Sequence, residues 1–323
     1  MIWKIVLSFI LLLFTTIWFV ITTPIFAASY KPLSSQKANK DTLYKHVKFL
    51  TSTALPRNYL NLEVLDSVTQ YIQNEFNSYG YVSEKQTFKI EGIPYSNVLA
   101  SYGPKDAPRL IIGAHYDVCG EQDGADDNAS GIAGLLELAR LLQIQKPDLK
   151  YRIDFVAYTL EEPPFFRSEY MGSAVHAKSI NDAKTKVLGM ICLEMIGYFS
   201  DKPKSQEYPI GLLKLFYPTV GNYITVVGKI GQGKILRKVK SKMIEGSKIS
   251  VKSINAPSII PGIDFSDHQN YWKYDYDAVM ITNTAFYRNM NYHQTTDTIE
   301  TLDFDRMTEV VNGVYNAMLG FVE

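Results

Sequence analysis

The sequence has little cysteine, no excess of charge of one sign, and no internal repeat or low-complexity tract. Only two of the 323 residues are cysteine, Cys119 and Cys192, which excludes a small scaffold held together by several disulfides. One bridge between them is compatible with an exported protein, but we expect two buried thiols. Basic and acidic residues number 33 each, which argues against a nucleic-acid surface or a polybasic membrane face.

One long apolar run is present, and it lies at the N-terminus. Lys4 precedes an apolar stretch from Ile5 to Ile21, and small residues follow up to Ala28. This pattern predicts either a secretory signal cleaved near Ala27 or a retained N-terminal membrane anchor, because the run approaches the ~20 residues that span a bilayer. Both interpretations place the rest of the chain outside the cytoplasm, as a secreted, periplasmic or membrane-anchored protein. Residues 29–40 are interpreted as a linker.

The remaining sequence predicts one α/β domain over residues 41–323. Apolar residues make up 46% of the chain and charged residues 20%, which is ordinary for a protein with a sizeable core. Short apolar runs typical of strands alternate with segments of helical periodicity. This alternation indicates a mixed, mostly parallel central sheet with helices on both faces. A stretch rich in Pro, Lys and Ser, at about residues 201–219, is predicted to be an inserted loop.

The stretch from Leu110 to Gly131 contains the first candidate site residues. Its apolar start predicts a buried strand, and His115 and Asp117 follow two positions apart. Alternate side chains of an extended segment share a face, so a carboxylate stands where it could orient a metal-bound imidazole. Asp126 and Asp127 then precede a helical apolar pattern, which places the acidic pair at a strand-to-helix junction where α/β enzymes build their sites.

Two further acidic motifs follow predicted strands. Glu161 and Glu162 come at the end of an apolar strand and are followed by two prolines, which cannot continue a sheet ladder. Because neighbouring side chains point apart, one carboxylate can face a metal while the other reaches a bound water. Glu194 directly follows the strand predicted at 187–193. A solvated acidic loop is the alternative interpretation of either motif.

Two histidine motifs lie towards the C-terminus. His293 is followed four residues later by Asp297, which could orient the imidazole or cap the approach to the last helix. The other motif is Ser266-Asp267-His268. His268 is a candidate for binding a substrate carbonyl, and a purely structural histidine is the alternative.

Taken in order, the five motifs resemble those of the zinc aminopeptidase family, a group of co-catalytic dizinc exopeptidases that also includes glutaminyl-cyclase-like relatives. The resemblance covers roughly residues 41–323. It implies two zinc ions, one held by His115 and Glu194 and the other by Glu162 and His293, with Asp126 bridging them. It also implies that Glu161 is the general base and that Asp127 shapes the backbone beside the bridging ligand.

The resemblance implies a peptide substrate and, most specifically, cleavage at a free N-terminus. Acids near the site, including Glu121 and Asp123, could receive the amino group. Three alternatives remain open. They are a single-zinc glutaminyl cyclase, a carboxypeptidase with Arg167 or Arg288 as the carboxylate partner, and a non-catalytic binding relative.

Overall fold

A computed structural model describes residues 2–321 of the chain. The helices are α1 Ile2–Thr22, α2 Lys40–Thr51, α3 Leu62–Ser78, α4 Gly131–Gln145, α5 Gly172–Asp182, α6 Gly233–Gly246, α7 His268–Trp272 and α8 Phe304–Leu319. The strands are β1 Glu84–Ile90, β2 Ile93–Tyr102, β3 Arg109–His115, β4 Arg152–Tyr158, β5 Val187–Glu194, β6 Tyr223–Lys229, β7 Ser250–Ala256 and β8 Ala278–Thr282.

The strands form one mixed eight-stranded sheet in the order β1-β2-β4-β3-β5-β8-β6-β7. The central strands β4, β3, β5 and β8 run parallel, whereas β1, β2 and β6 make antiparallel pairs. The predicted fold class is therefore confirmed. Because the four central strands are parallel, the residues that leave their carboxyl ends meet at one edge of the sheet.

Apolar side chains fill both faces of this sheet. In β3, Leu110 and Ile112 belong to a core layer that includes residues of α4 and α8, while Ile111 belongs to the layer with α5 and α7. This alternation is the period-two pattern of a strand buried on both faces. Each fully buried Leu or Ile contributes about 1.5–3 kcal/mol relative to exposure. The central strands are thus held firmly enough to position the loops that follow them.

The segment predicted as a linker, residues 29–40, lies against the end of the domain. The backbone amides of Leu33 and Ala38 donate to the side-chain oxygens of Asn316 and Asn312 in α8, at 2.6 and 2.8 Å. The amide of Asn39 donates to Glu137 in α4. These hydrogen bonds fix the segment between α1 and α2 to the surface of the domain.

Two elements were not predicted from the sequence. The edge strand β7 reads Ser-Val-Lys-Ser-Ile-Asn-Ala, which is too polar to resemble the buried strands of the centre. The short helix α7 has five residues and lies between the Ser266-Asp267 motif and β8. Its buried face packs in the core layer with α5, so that Asp267 is carried into the interior.

Candidate metal centre

His115 ends β3, and its ring is buried with both nitrogens facing acceptors. Its Nδ1 lies 3.1 Å from the backbone oxygen of Asp117 and 3.6 Å from the carboxylate of the same residue. The carboxylate of Asp117 instead accepts the backbone amides of Glu161 and Glu162, each at 3.1 Å. Asp117 thus orients His115 mainly through its backbone carbonyl, and its side chain fixes the loop after β4.

Asp127 lies between the two histidines of the site. Its Oδ1 is 3.5 Å from Nε2 of His115, and its Oδ2 is 3.3 Å from Nε2 of His293. On the first side, Glu194 Oε2 is 3.4 Å from His115, and on the second, Glu162 Oε2 is 3.2 Å from His293. The cluster therefore consists of two donor groups, His115 with Glu194 and His293 with Glu162. Both groups share the carboxylate of Asp127.

The structure corrects the expected position of Asp126, which does not face either histidine. Its Oδ1 accepts the backbone amides of Gly197 and Tyr198 at 2.9 and 3.1 Å. Its Oδ2 accepts the side-chain amides of Asn283 and Asn289 at 2.7 and 2.9 Å. These donors occupy the carboxylate that was expected to bridge the metals, and the next residue takes the bridging position.

The backbone conformation of the turn at residues 125–130 sets the directions of the Asp126 and Asp127 side chains. Its backbone is irregular, with φ −107° and ψ 89° at Asp127, and the peptide bond that follows is cis. The carboxylate of Asp297 accepts the amides of Asp126 and Asp127 at 3.0 Å. Asp297 therefore holds this turn, and the two roles considered for it are both wrong: it does not orient His293, and Asp303 caps α8.

Glu161 and Glu162 leave β4 as expected, and both are buried. Burial, together with the neighbouring acids Glu162 and Glu194, raises the pKa of Glu161 well above its ordinary value despite an opposing effect of His115. Burial and the charge of Asp127 also raise the pKa of Glu162, to about 8. Carboxyl groups whose pKa is raised by burial and by neighbouring acids are common in active sites.

Glu194 ends β5 and is held from two sides. Its Oε2 accepts the hydroxyl of Ser266 at 2.6 Å and faces His115 at 3.4 Å. Ser266 belongs to the motif in which His268 was expected to bind a substrate carbonyl. The hydroxyl of this serine, rather than the imidazole, contacts a candidate ligand.

His268 is a structural residue, so its expected role at the site is wrong. Its ring is fully buried, packs edge-on against Trp272 with centroids 4.5 Å apart, and contacts the carbonyl of Ile263 at 2.8 Å. Burial lowers its pKa to about 4. The preceding residue, Asp267, is the one whose charge acts on His115, Glu161 and Glu194. Sequence reasoning missed it because the more conspicuous histidine stands next to it.

His293 completes the second donor group from the loop after β8. Its ring stacks on Tyr292 with centroids 3.8 Å apart. Burial alone would lower its pKa, but the carboxylates of Asp127 and Glu162 raise it to about 10. Between the two histidines, the pKa of Asp127 is held well below the usual range, although burial acts in the opposite direction.

The buried atoms of this cluster fit a cation. Asp127 Oδ2, Glu162 Oε1 and His293 Nε2 are all buried without a hydrogen-bond partner, which is costly unless a ligand satisfies them. Donor atoms that share a tetrahedral zinc at ~2.0–2.1 Å lie roughly 3.3 Å apart. The four His–carboxylate distances, between 3.2 and 3.5 Å, match that spacing.

Sequence reasoning also missed two residues around the centre. The Cys119 thiol lies within 4.8 Å of donor atoms of Glu162 and His293. Cys119 and Cys192 are both free thiols, as expected, although Cys119 is only half-buried. Arg57 is fully buried behind the loop at residues 116–124, where it donates to the carbonyls of Leu50, Tyr116, Asp123 and Gly124. No sequence pattern around Arg57 indicated that this side chain would be buried beside the metal-site loops.

An open pocket begins beside Glu194 and Tyr292. Its walls are mainly aromatic and aliphatic and include Tyr217, Tyr223, Ile254, Phe265, Met280 and Phe286. The pocket thus joins an apolar cavity to the acidic cluster. A substrate could place one apolar side chain in the cavity and a charged group beside the carboxylates.

The cations considered as carboxylate partners are engaged by other residues. Arg167 binds both carboxylate oxygens of Asp264 at 2.8 Å. Arg288 is buried and donates to the Gln206 side chain and to the Tyr223 carbonyl, at 2.8 and 2.6 Å. The loop acids Glu121 and Asp123 are exposed, in contrast to the buried carboxylates of the centre.

An α/β sheet with paired histidine and carboxylate donors at the carboxyl ends of its central strands is typical of zinc-dependent exopeptidases. Residues 97–318 match the model of peptidase family M28. The chain belongs to this family, whose members are zinc-dependent peptide hydrolases.

Relatives and solved structures agree with this family. The chain is 48% identical to YfbL of Escherichia coli (strain K12), an uncharacterized protein, over 88% of both chains. It is 25% identical to leucine aminopeptidase 1 of Paracoccidioides brasiliensis (strain Pb03), over 87% of this chain and 70% of the relative. Among solved structures, the LapA aminopeptidase of Legionella pneumophila gives a TM-score of 0.68 at 21% identity, covering 87% of this chain and 71% of LapA. The glutaminyl cyclase of Porphyromonas gingivalis gives a TM-score of 0.67 at 21% identity, covering 89% of this chain and 100% of the cyclase.

Proposed function

We propose that this protein is a zinc-dependent aminopeptidase with two metal sites that share Asp127. In this proposal His115 and Glu194 bind one zinc, and Glu162 and His293 bind the other. The observation that carries the proposal is the pair of donor groups on opposite oxygens of Asp127, with buried unpaired atoms aimed between them. Mixed histidine and carboxylate donors suit zinc.

The protein's own residues supply the acid–base chemistry. Zinc held at this centre would polarise the scissile carbonyl and lower the pKa of the attacking water. Glu161, which is buried just after β4 beside the candidate ligand Glu162, would accept a proton from the attacking water and return it to the leaving amine. Asp117 positions Glu161 and Glu162 by holding their backbone amides.

The pocket supports action at a free N-terminus. Glu194 is both a residue of the acidic cluster and part of the pocket lining. A substrate whose first side chain fills the apolar cavity therefore has its amino group beside buried carboxylates, which favour a cation. Arg167, which is paired with Asp264, and Arg288, which is buried, are both outside the lining of this pocket, so neither stands where it would receive a terminal carboxylate.

A panel of peptides tests this proposal. Each buried methylene contributes about 0.8 kcal/mol, so peptides beginning with Leu should be hydrolysed roughly 50-fold more efficiently, in kcat/KM, than those beginning with Ala. N-terminal acetylation should abolish cleavage, since the carboxylates would then face an uncharged cap. Equal cleavage of acetylated and free peptides would exclude an aminopeptidase. Release of ammonia from glutaminyl peptides without peptide cleavage would instead identify a cyclase.

A further inference from the structure

The C-terminal end of α1 is fixed to the domain by side chains from three elements. Lys240 in α6 donates to the carbonyls of Thr22 and Thr23, both at 2.9 Å, and Ser253 in β7 donates to Thr22 at 2.7 Å. Tyr217 lies 3.5 Å from the carbonyl of Ile21. The last carbonyls of a helix lack partners within the helix, and a cation there is favourable. The end of α1 is thus an integral part of the folded domain.

The inserted loop packs along the side of α1. The ring of Phe216 lies 5.2 Å from that of Phe14, measured between centroids. Ile210 and Leu213 line an apolar groove together with Ile17 and other residues of α1. The loop therefore follows the helix for about two turns from the contacts at Thr22.

Large apolar side chains around this contact remain exposed. We call them the apolar collar, and they are Ile210, Leu212, Leu215, Ile230 and Ile259. Leu212, Leu215 and Ile259 are 62%, 67% and 88% exposed. Ile230 lines the groove, and Ile259 is next to Ile260, which does the same. A cluster of this kind on the surface marks a site of contact with a protein or a membrane.

The position of the collar along α1 identifies its environment. Residues Trp3–Thr22 form a helix that is long and apolar enough to cross a membrane. At ~1.5 Å per residue, Phe14 lies about 12 Å from the end of the helix at Thr22. With Thr22 at the surface of a bilayer whose hydrocarbon core is about 30 Å thick, the contact between Phe14 and Phe216 lies inside that core. The loop that carries Phe216 must then enter the bilayer as well.

Charge beside the collar fits the same environment. Helix α6 carries Lys234, Arg237, Lys238, Lys240 and Lys242 and a single acid, Glu245, although the chain as a whole has no net charge. The Arg237 guanidinium lies over the ring of Phe19 and donates to the carbonyl of Pro24 at 3.2 Å. Long basic side chains beside the end of a spanning helix are favourable at the level of the lipid headgroups, where their charged groups stay solvated while their stems contact apolar surface.

We propose that α1 is retained and that the apolar collar inserts into the membrane leaflet at its C-terminal end. The substrate pocket then lies next to the bilayer, because Ile254 and the loop containing Ile260 and Pro261 contribute to both the groove and the pocket. Peptides held at the membrane surface would reach the site without leaving that surface. The proposal depends on these surface contacts and is independent of the metal centre.

Brominated lipids test the proposal with the full-length chain in liposomes. Leu212→Trp places a fluorophore in the collar, and Leu60→Trp is a matched control because Leu60 is 66% exposed in the loop before α3. That loop lies near β2, towards the edge of the sheet opposite β7. We expect the added emission of Leu212→Trp to be lost in brominated vesicles and that of Leu60→Trp to be unchanged. Leu215→Trp gives a second collar position if the first variant folds poorly.

Three outcomes would overturn the proposal. The first is equal emission of the collar and control variants in brominated and ordinary vesicles. The second is shielding of the collar tryptophans from acrylamide without quenching by brominated lipid, which would assign the surface to a second copy of the chain. The third is an intact mass showing that the membrane-extracted protein begins near Ala28.

Discussion

At the scale of single residues, Asp126 and Asp127 are adjacent but have opposite kinds of partner. Asp126 receives hydrogen bonds from two backbone amides and two asparagine side chains, so its charge is satisfied within the protein. Asp127 faces two histidines and keeps an unpaired oxygen. The first residue therefore builds the loop, whereas the second is free to bind a ligand.

Exchanging each carboxylate for an amide separates these two roles. Asp127→Asn should lose at least one zinc per chain and its peptidase activity, because the charge between the histidines is removed. Asp126→Asn should retain zinc at saturating metal but unfold at a lower temperature, because its new NH₂ group would oppose the donors of Asn283 and Asn289. Elemental analysis and thermal unfolding measure both effects. Loss of zinc from the Asp126 variant alone would reverse the assignment.

Glu161 provides the second prediction at this scale. Glu161→Gln keeps the size of the side chain but removes the proton acceptor, so kcat should fall by roughly 10²–10⁴-fold with zinc content unchanged. The matched variant Glu162→Gln should lose zinc as well as activity, since its oxygen faces His293. Normal turnover by Glu161→Gln would remove this residue from the mechanism.

Sequence patterns located the motifs but could not orient every side chain within them. The pair Asp126-Asp127 was evident, yet its orientation depends on Asn283 and Asn289, which lie about half the chain away. In the same way, His268 was predicted to be a site residue, whereas its buried neighbour Asp267 is the one whose charge acts on His115 and Glu194. Local spacing carries no information on such distant partners.

At the scale of elements, a buried arginine holds the loop that follows the central strand β3 in place. Arg57 lies between α2 and α3 and donates to four carbonyls, three of which belong to the loop that precedes Asp126. Burial lowers its pKa to about 10, so it remains a cation at neutral pH. Its charge stands near Asp297, Asp127 and Asp117 and partly offsets the repulsion among them.

Replacing this arginine should therefore lower the stability of the fold. Arg57→Met leaves buried carbonyls without donors, and we expect the free energy of unfolding to fall by roughly 3–5 kcal/mol. Arg306→Met is the matched control, because Arg306 makes solvent-exposed ion pairs with Asp201 and Asp303, which contribute little to stability. Urea denaturation of both variants gives the comparison. Similar small losses would show that the arginine is dispensable.

Secondary structure was predictable where apolar periodicity was strong. The buried strands β3, β4 and β5 match the apolar runs from which they were predicted. The polar strand β7 and the short helix α7 were missed, because an edge strand needs apolar residues on one face only and five residues hold too little periodicity. Ile254 of β7 lines the pocket and α7 begins shortly after Phe265, another lining residue, so the surroundings of the pocket were the part least predictable from the sequence.

At the scale of the whole molecule, the candidate centre exists only in the folded chain. His115 and Glu194 end two strands, Glu162 follows a third, and His293 comes from near the C-terminus. The alternation of strands and helices was enough to predict that such residues meet at one edge of the sheet. A ligand that needs all of these residues binds the folded state alone, so its binding energy also stabilises the fold.

The most direct measurement of the central claim is an anomalous difference map from crystals grown with zinc, recorded on both sides of the zinc absorption edge. We predict two peaks roughly 3.5–4 Å apart, one on each side of the Asp127 carboxylate. One peak should adjoin His115 and Glu194, and the other Glu162 and His293. A single peak at full occupancy, or a peak beside Asp126, would contradict the proposed dizinc centre.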